Sequence, residues 1–285
     1  MKQVILTTFI LASLTAQDNF VGETFEKGSI NYAARTIQAT GIGFIPMNVI
    51  NAGQARRSAM RIAKQDALRQ LIEIVNGVNV TSETTVSGAM FDDVIKTQVQ
   101  GAIRGARKVG EPKYLSDTSV EVVYEVSMNN ISRALLPMAE RAPVLSYESV
   151  TATGTAAAAG GQGGGAAAAP ASGGVTGIII DGSGLGLRPA MSPRILNQSG
   201  TVLYGPGQYD RDYAAANGVV GYAKTLGQAK ADTRVQGNPL VLRGASASGT
   251  AKTDVIISNA DAGKLVSAGR SAGLLQDCRI MFVLN

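Results

Sequence analysis

NAGQARRSAMRIAKQDALRQLIEIVNG, residues 51–77, decides how the first half of the chain folds. Met60, Ala63, Ala67, Leu71 and Ile74 recur at helical spacing and form one apolar stripe. Arg56, Arg57, Arg61, Lys64, Gln65, Arg69 and Glu73 fill the polar side. Asn51 can cap the helix start, and Gly77 can end it in the left-handed conformation. A helix that is apolar on one side must bury that side. The segments around it have the pattern of strands and are its expected partners.

On the N-terminal side, RTIQATGIGFI (35–45) alternates as a strand, with a bend or bulge expected at Gly41 or Gly43. On the C-terminal side, the β-branched VNVTSETTV (78–86) predicts another strand. Ser87 can then cap a helix from about Gly88 to Ile103, with Met90, Phe91, Val94, Ile95, Val99 and Ile103 on its apolar face. Arg104 to Leu115 reads as a strand interrupted by Gly110 and Pro112, and Thr118 to Met128 as a regularly alternating one. A short helix from Asn130 to Met138 closes the unit. The strict alternation predicts an antiparallel sheet with one buried face.

Residues 152–174, ATGTAAAAGGQGGGAAAAPASGG, contain almost no side chain able to build a core and predict a flexible Gly/Ala linker. Beyond it, GIIID (177–181) is a short buried strand, and SPRILNQSGTVLYG (192–205) is a hairpin turning at Gln198-Ser199-Gly200. Tyr209 to Lys230 ends as a helix. Further strands are expected at Pro239–Ala245, Asp254–Ser258 and Arg279–Leu284, with a helix capped by Asn259 between the last two. The expected class is α+β: two small α/β-type domains, each a mainly antiparallel sheet covered by helices. The expected layout is a signal peptide at 1–16, a first domain at 17–150, a linker at 151–175 and a second domain at 176–285.

MKQVILTTFILASLTA (1–16) has a positive start, an apolar run too short to cross a bilayer and a small residue at its end. It predicts export to the periplasm. No cysteine follows the run, so lipidation is not expected, and no other stretch has the length and apolarity of a transmembrane helix. The single cysteine, Cys278, opens an apolar strand and is expected to be buried and inert. There is no histidine, which excludes Ser-His-Asp and Cys-His chemistry and the commonest zinc ligand.

The formal net charge is +5. Arg56, Arg57, Arg61, Lys64 and Arg69 supply much of the positive charge on one element. Two readings follow: a solvated helix face, or a surface for an anionic partner such as peptidoglycan or lipid headgroups. Aromatic content of 5% and the lack of a groove-reading motif argue against nucleic acid.

Gly182-Ser183-Gly184-Leu185-Gly186 follows a strand but lacks the G-x-G-x-x-G spacing, and Pro189 and Pro193 preclude the helix a dinucleotide site requires. Asp181, Asp210 and Asp212 lack the spacing of a cation loop. Asp92 and Asp93 suit a helix N-terminus, and Asp66 suits a pair with Arg69 or Gln70. No catalytic constellation, cofactor or metal is expected.

The first half carries A-x-G-x-G at Ala39–Gly43, then A-x-x-D-A-x-R-x-L at Ala63–Leu71 and V-x-G-V-x-V at Val75–Val80. In this it resembles the bacterial envelope family that includes the Helicobacter membrane-associated lipoprotein Lpp, the outer-membrane flagellar protein FlgP and the N-terminal domain of FlgT. The resemblance covers roughly residues 36–130. It implies a long helix on a sheet, an envelope location near the outer membrane, and a structural role with other envelope or flagellar proteins, or further copies of itself, as partners. The chain departs from the family in lacking a lipidation cysteine and in carrying a second domain.

Overall fold

The computed structural model describes residues 20–45, 51–141 and 174–284. The expected signal peptide and nearly all of the expected linker lie outside the described residues. The first domain runs β1 (Gly22–Phe25), β2 (Gly28–Asn31), β3 (Thr36–Gly43), α1 (Ala52–Asn76), α2 (Val86–Ala89), α3 (Asp93–Arg104), β4 (Arg107–Tyr114), β5 (Val120–Ser127) and α4 (Met128–Arg141). Its five strands pair antiparallel throughout, in the order β1-β2-β3-β5-β4.

Asn51 caps α1, its side chain accepting from the N–H groups of Gly53 and Gln54. Gly77 ends it with a φ of −81°, a right-handed rather than left-handed exit. The buried stripe is narrower in side-chain size than the sequence suggests, being Ala55, Ala59, Ala63 and Ala67 before Leu71 and Ile74. Those alanines meet Gly41 and Gly43 of β3. A Cβ on Gly41 would lie 2.1 Å from the Ala63 carbonyl oxygen, and one on Gly43 would lie 2.0 Å from that of Ala59. The glycines therefore admit the helix backbone against the strand. They do not bulge it, because β3 pairs with β5 without a register shift from Thr36↔Ser127 to Gly43↔Val120. The shift lies instead in β4, between Val109 and Lys113, where Gly110 has a φ of +68°.

Two other expectations are corrected. Residues 78–86 do not form a strand. Val80 and Thr81 both donate to the Thr84 carbonyl and Val86 donates to that of Val78, which closes a tight loop with a single bridge, Asn79↔Thr85. The helix expected from 88 to 103 is broken, because Thr85 caps α2 and Asp92 caps α3 by accepting from Val94 and Ile95. The break turns Phe91 and Val94 outward, 93% and 65% exposed, while Ile95, Val99 and Ile103 stay in the core.

The second domain runs β6 (Ile178–Asp181), β7 (Ile195–Asn197), β8 (Val202–Tyr204), α5 (Arg211–Asn217), β9 (Gly221–Ala223), α6 (Leu226–Ala231), β10 (Leu240–Ser248), β11 (Asp254–Ile257), α7 (Asn259–Ala272) and β12 (Ile280–Val283). Its seven strands lie in the order β8-β7-β11-β10-β6-β12-β9. The hairpin between β7 and β8 turns at the expected place, with Asn197 Oδ1 accepting from Ser199 and Thr201. The expectation of a mainly antiparallel sheet fails here, since β6 pairs parallel with β10 and β12, β7 with β11 and β9 with β12. The sequence held the reason. Ile178, Ile179 and Ile180 and all four residues of β12 are buried on both faces, the unbroken apolar pattern of parallel strands.

The two sheets define two domains, yet one cluster of buried residues runs through both. Tyr32 of the first packs edge-on against Tyr222 of the second, with ring centroids 5.8 Å apart. No helix of the described residues is long and apolar enough to cross a membrane.

Candidate functional site

The five basic residues of α1 all lie on its exposed side. They do not form one uniform surface. The Arg56 guanidinium sits over the Tyr114 ring at 5.4 Å, and the Lys64 ammonium over the Tyr124 ring at 5.8 Å. Arg69 pairs with Asp66 at 2.9 Å. Arg57 and Arg61 make no hydrogen bond or ion pair with the described residues and offer their charge to solvent.

Asp66 does more than pair with Arg69. Its Oδ2 accepts the backbone N–H of Ile42 at 3.0 Å, pinning the helix to β3. Partial burial pushes its carboxyl up. The Ile42 N–H and the hydrogen bond and charge of Arg69 outweigh this and hold the pKa below its ordinary value.

The densest polar cluster lies at the domain junction. The loop 78–85 enters the second domain, where Asn79, Val80 and Ser82 accept through their carbonyls from the N–H groups of Met191, Ser192 and Ala251 at 2.8 to 2.9 Å. Gly249, with a φ of +81°, leaves room for this seat, since a Cβ there would lie 2.2 Å from Ser82 Cβ. Arg194 Nε donates to Asp254 Oδ2 at 2.9 Å, and its Nη2 donates to Ser82 Oγ at 2.8 Å and to both Glu83 oxygens at 3.1 Å. The Arg194 backbone N–H meets the other Asp254 oxygen. Ser82 Oγ lies 2.7 Å from Asp254 Oδ2 and 2.6 Å from Glu83 Oε1, and its single proton can be donated to either carboxylate.

Ser82 and Asp254 are each 1% exposed, so the cluster binds the domains to one another and offers no opening to a substrate. Burial pushes the Asp254 carboxyl above its ordinary value, and Ser82 and Arg194 pull it only part of the way back. Burial alone would lower Arg194, but the hydrogen bond and charge of Asp254, with Glu83, leave it raised. Both pKa values are raised, which favours the neutral form of Asp254 but the charged form of Arg194, because the cost of desolvation falls on the more buried partner, the carboxylate.

The remaining residues weighed in the sequence are dispersed. Asp181 accepts from the Ser183 N–H and shapes the 182–186 turn, which opens no helix. Asp210 caps α5 by accepting from Tyr213, and Asp212 lies in the first turn of that helix. Among the described residues, no group of three or more His, Cys, Asp or Glu is placed to hold a metal. Cys278 is buried, and burial pushes its thiol up, away from the reactive thiolate.

Residues 177–285 match the family described as Treponema pallidum Tp0624, second domain. The matched segment coincides with the second sheet and its helices. No curated protein matches the chain. The match leaves the 78–85 loop outside, yet Arg194, Asp254 and Gly249 within it form the seat for that loop. Sequence reading missed this seat. Its one local trace is a polar Ser82-Glu83 pair at the tip of an otherwise β-branched stretch.

Proposed function

We propose that the protein is a non-enzymatic, exported component of a bacterial cell envelope that supports flagellar or outer-membrane-associated assembly through protein–protein contacts. The observation that carries this reading is the seating of the 78–85 loop in the second domain. It makes one stiff two-domain body out of parts joined by a long connection, as a structural spacer requires. The resemblance of the first domain to the Lpp, FlgP and FlgT family supports the envelope setting, and the match of the second to a Treponema pallidum domain supports a bacterial one. Crosslinking in intact cells, with identification of the attached protein, tests the reading, and so does imaging of motility and motor-associated rings after gene deletion. Capture of an envelope or flagellar protein is expected. Normal swimming with intact rings removes the flagellar version, and capture of soluble cytoplasmic proteins alone removes the envelope one.

A second reading rests on the exposed basic side of α1. Here Arg56, Arg57, Arg61, Lys64 and Arg69 hold an anionic envelope polymer, with Arg57 and Arg61 as the two charges free of partners among the described residues. Binding to purified cell wall that disappears at high salt supports it, and binding indifferent to salt counts against it.

A further inference from the structure

A second contact between the domains has the opposite character to the Arg194 cluster. Arg35 lies in the turn between β2 and β3 with a φ of +54°, a conformation a non-glycine residue adopts only when its surroundings hold it there. Its side chain crosses to the second domain. There Nη2 donates to the Ala215 carbonyl of α5 at 3.2 Å, with Ser132 Oγ at 3.5 Å. Nη1 is buried and has no partner. Arg234 approaches from the other side and spends its guanidinium on the carbonyls of Asn217, Gly218 and Cys278. Neither arginine meets a carboxylate. Two guanidinium charges thus converge on the carbonyl end of a seven-residue helix, which supplies about half a negative charge at most. Burial, and after it the charge of Arg234, lowers the Arg35 pKa to about 10.

Beside this unbalanced charge lies a crevice of about 330 Å³, lined by Arg35, Thr36, Arg107, Glu125, Asn129 and Asn217 among others. Glu125 is already matched, accepting from Arg107 Nε and Nη2 at 3.1 and 2.6 Å and from Gln38 at 2.8 Å. Arg107 keeps Nη1 uncommitted. The Asn129 side-chain oxygen is buried without a partner. Its amide can turn either end toward the crevice. The walls therefore combine excess positive charge, a free guanidinium N–H and an amide whose oxygen has no partner, across a gap that both domains line.

We propose that this crevice is a binding site for a small oxyanion, a phosphate or carboxylate group, held between Arg107 and Asn129 in the field of Arg35 and Arg234. Its ligands Arg107 and Asn129 belong to the first domain, and the bound anion lies against the second-domain wall at Ala216 and Asn217. The site is independent of the envelope reading and stands or falls without it.

The test is titration of the full chain with inorganic phosphate, and separately with acetate, at constant ionic strength set by chloride. Binding is read by calorimetry and by the midpoint of thermal unfolding. Two variants probe the walls: Arg107→Gln, whose parent side chain is 77% exposed and which also removes the cation from Glu125, and Ala216→Leu, which adds bulk at the crevice wall without changing charge. Saturable binding of either anion, with a rise in midpoint beyond that in chloride and at least a tenfold loss of affinity in both variants, is expected. Phosphate and acetate that act no differently from chloride overturn the proposal. Binding that survives Ala216→Leu intact places the anion elsewhere and overturns it equally.

Discussion

Two close contacts hold this molecule in shape, and they are built by opposite means. Where α1 lies on β3, side chains are removed so that backbones can approach, alanine on the helix against Gly41 and Gly43 on the strand. Where the 78–85 loop enters the second domain, side chains are added, and Arg194, Asp254, Ser82 and Glu83 saturate one another, with Ser82 and Asp254 buried and Glu83 at the rim. The first contact is local in design and tolerates no added atom. The second joins residues 172 positions apart and tolerates no missing partner.

The severest break is predicted at the second contact. Arg194→Met removes the cation and leaves Asp254 buried and charged, a loss of about 3–5 kcal/mol by urea unfolding at neutral pH. The defect should shrink as the pH falls. A carboxyl whose folded pKa is raised favours the folded state most when protonated, so acid supplies the proton that Arg194 no longer replaces. Next, Gly43→Ala forces a methyl group into the Ala59 carbonyl, and backbone must move, at about 3 kcal/mol. Circular dichroism melts of the single variant are sufficient to see it.

Asp66→Asn should cost about 2 kcal/mol, because the Ile42 N–H and Arg69 lose a charged acceptor. The carboxyl's own contribution runs opposite to that of Asp254, although both defects shrink in acid. A carboxyl with a lowered folded pKa stabilises above its ordinary range near 4 and loses that contribution as the pH falls through its folded value. The gap between wild type and Asp66→Asn therefore closes in acid, which stability curves from neutrality down to about pH 2 will show. The smallest effect belongs to Arg57→Gln with Arg61→Gln, within about 0.5 kcal/mol of wild type in stability. Under the anionic-polymer reading the same pair loses most of its low-salt binding to cell wall.

The contrast also explains what could be read in the chain beforehand. Helical spacing announces α1, and strict alternation announces β5. Gly41 and Gly43 suggest a bend or bulge in sequence because a glycine's absence of bulk and its freedom of backbone look alike in one dimension. The parallel strands of the second sheet were visible as unbroken apolar runs, but their pairing depends on which distant strand lies beside them. The domain junction left the least trace. Val78, Val80 and Val86 are β-branched because they are buried, and a strand and a buried loop make that demand equally. Nothing near Arg194 in sequence points to Ser82, so the seat is a property of the folded chain alone. The crevice at Arg35 is hidden for the same reason, since its lining comes from both domains.

Hydrogen exchange on the intact chain tests most directly whether the loop locks the two domains into one body. The account predicts that the amides of Met191, Ser192 and Ala251, which donate to the loop, exchange as slowly as the core strands and accelerate together in Arg194→Met. Fast exchange at all three in the wild-type protein, at the rate of open loops, would contradict it.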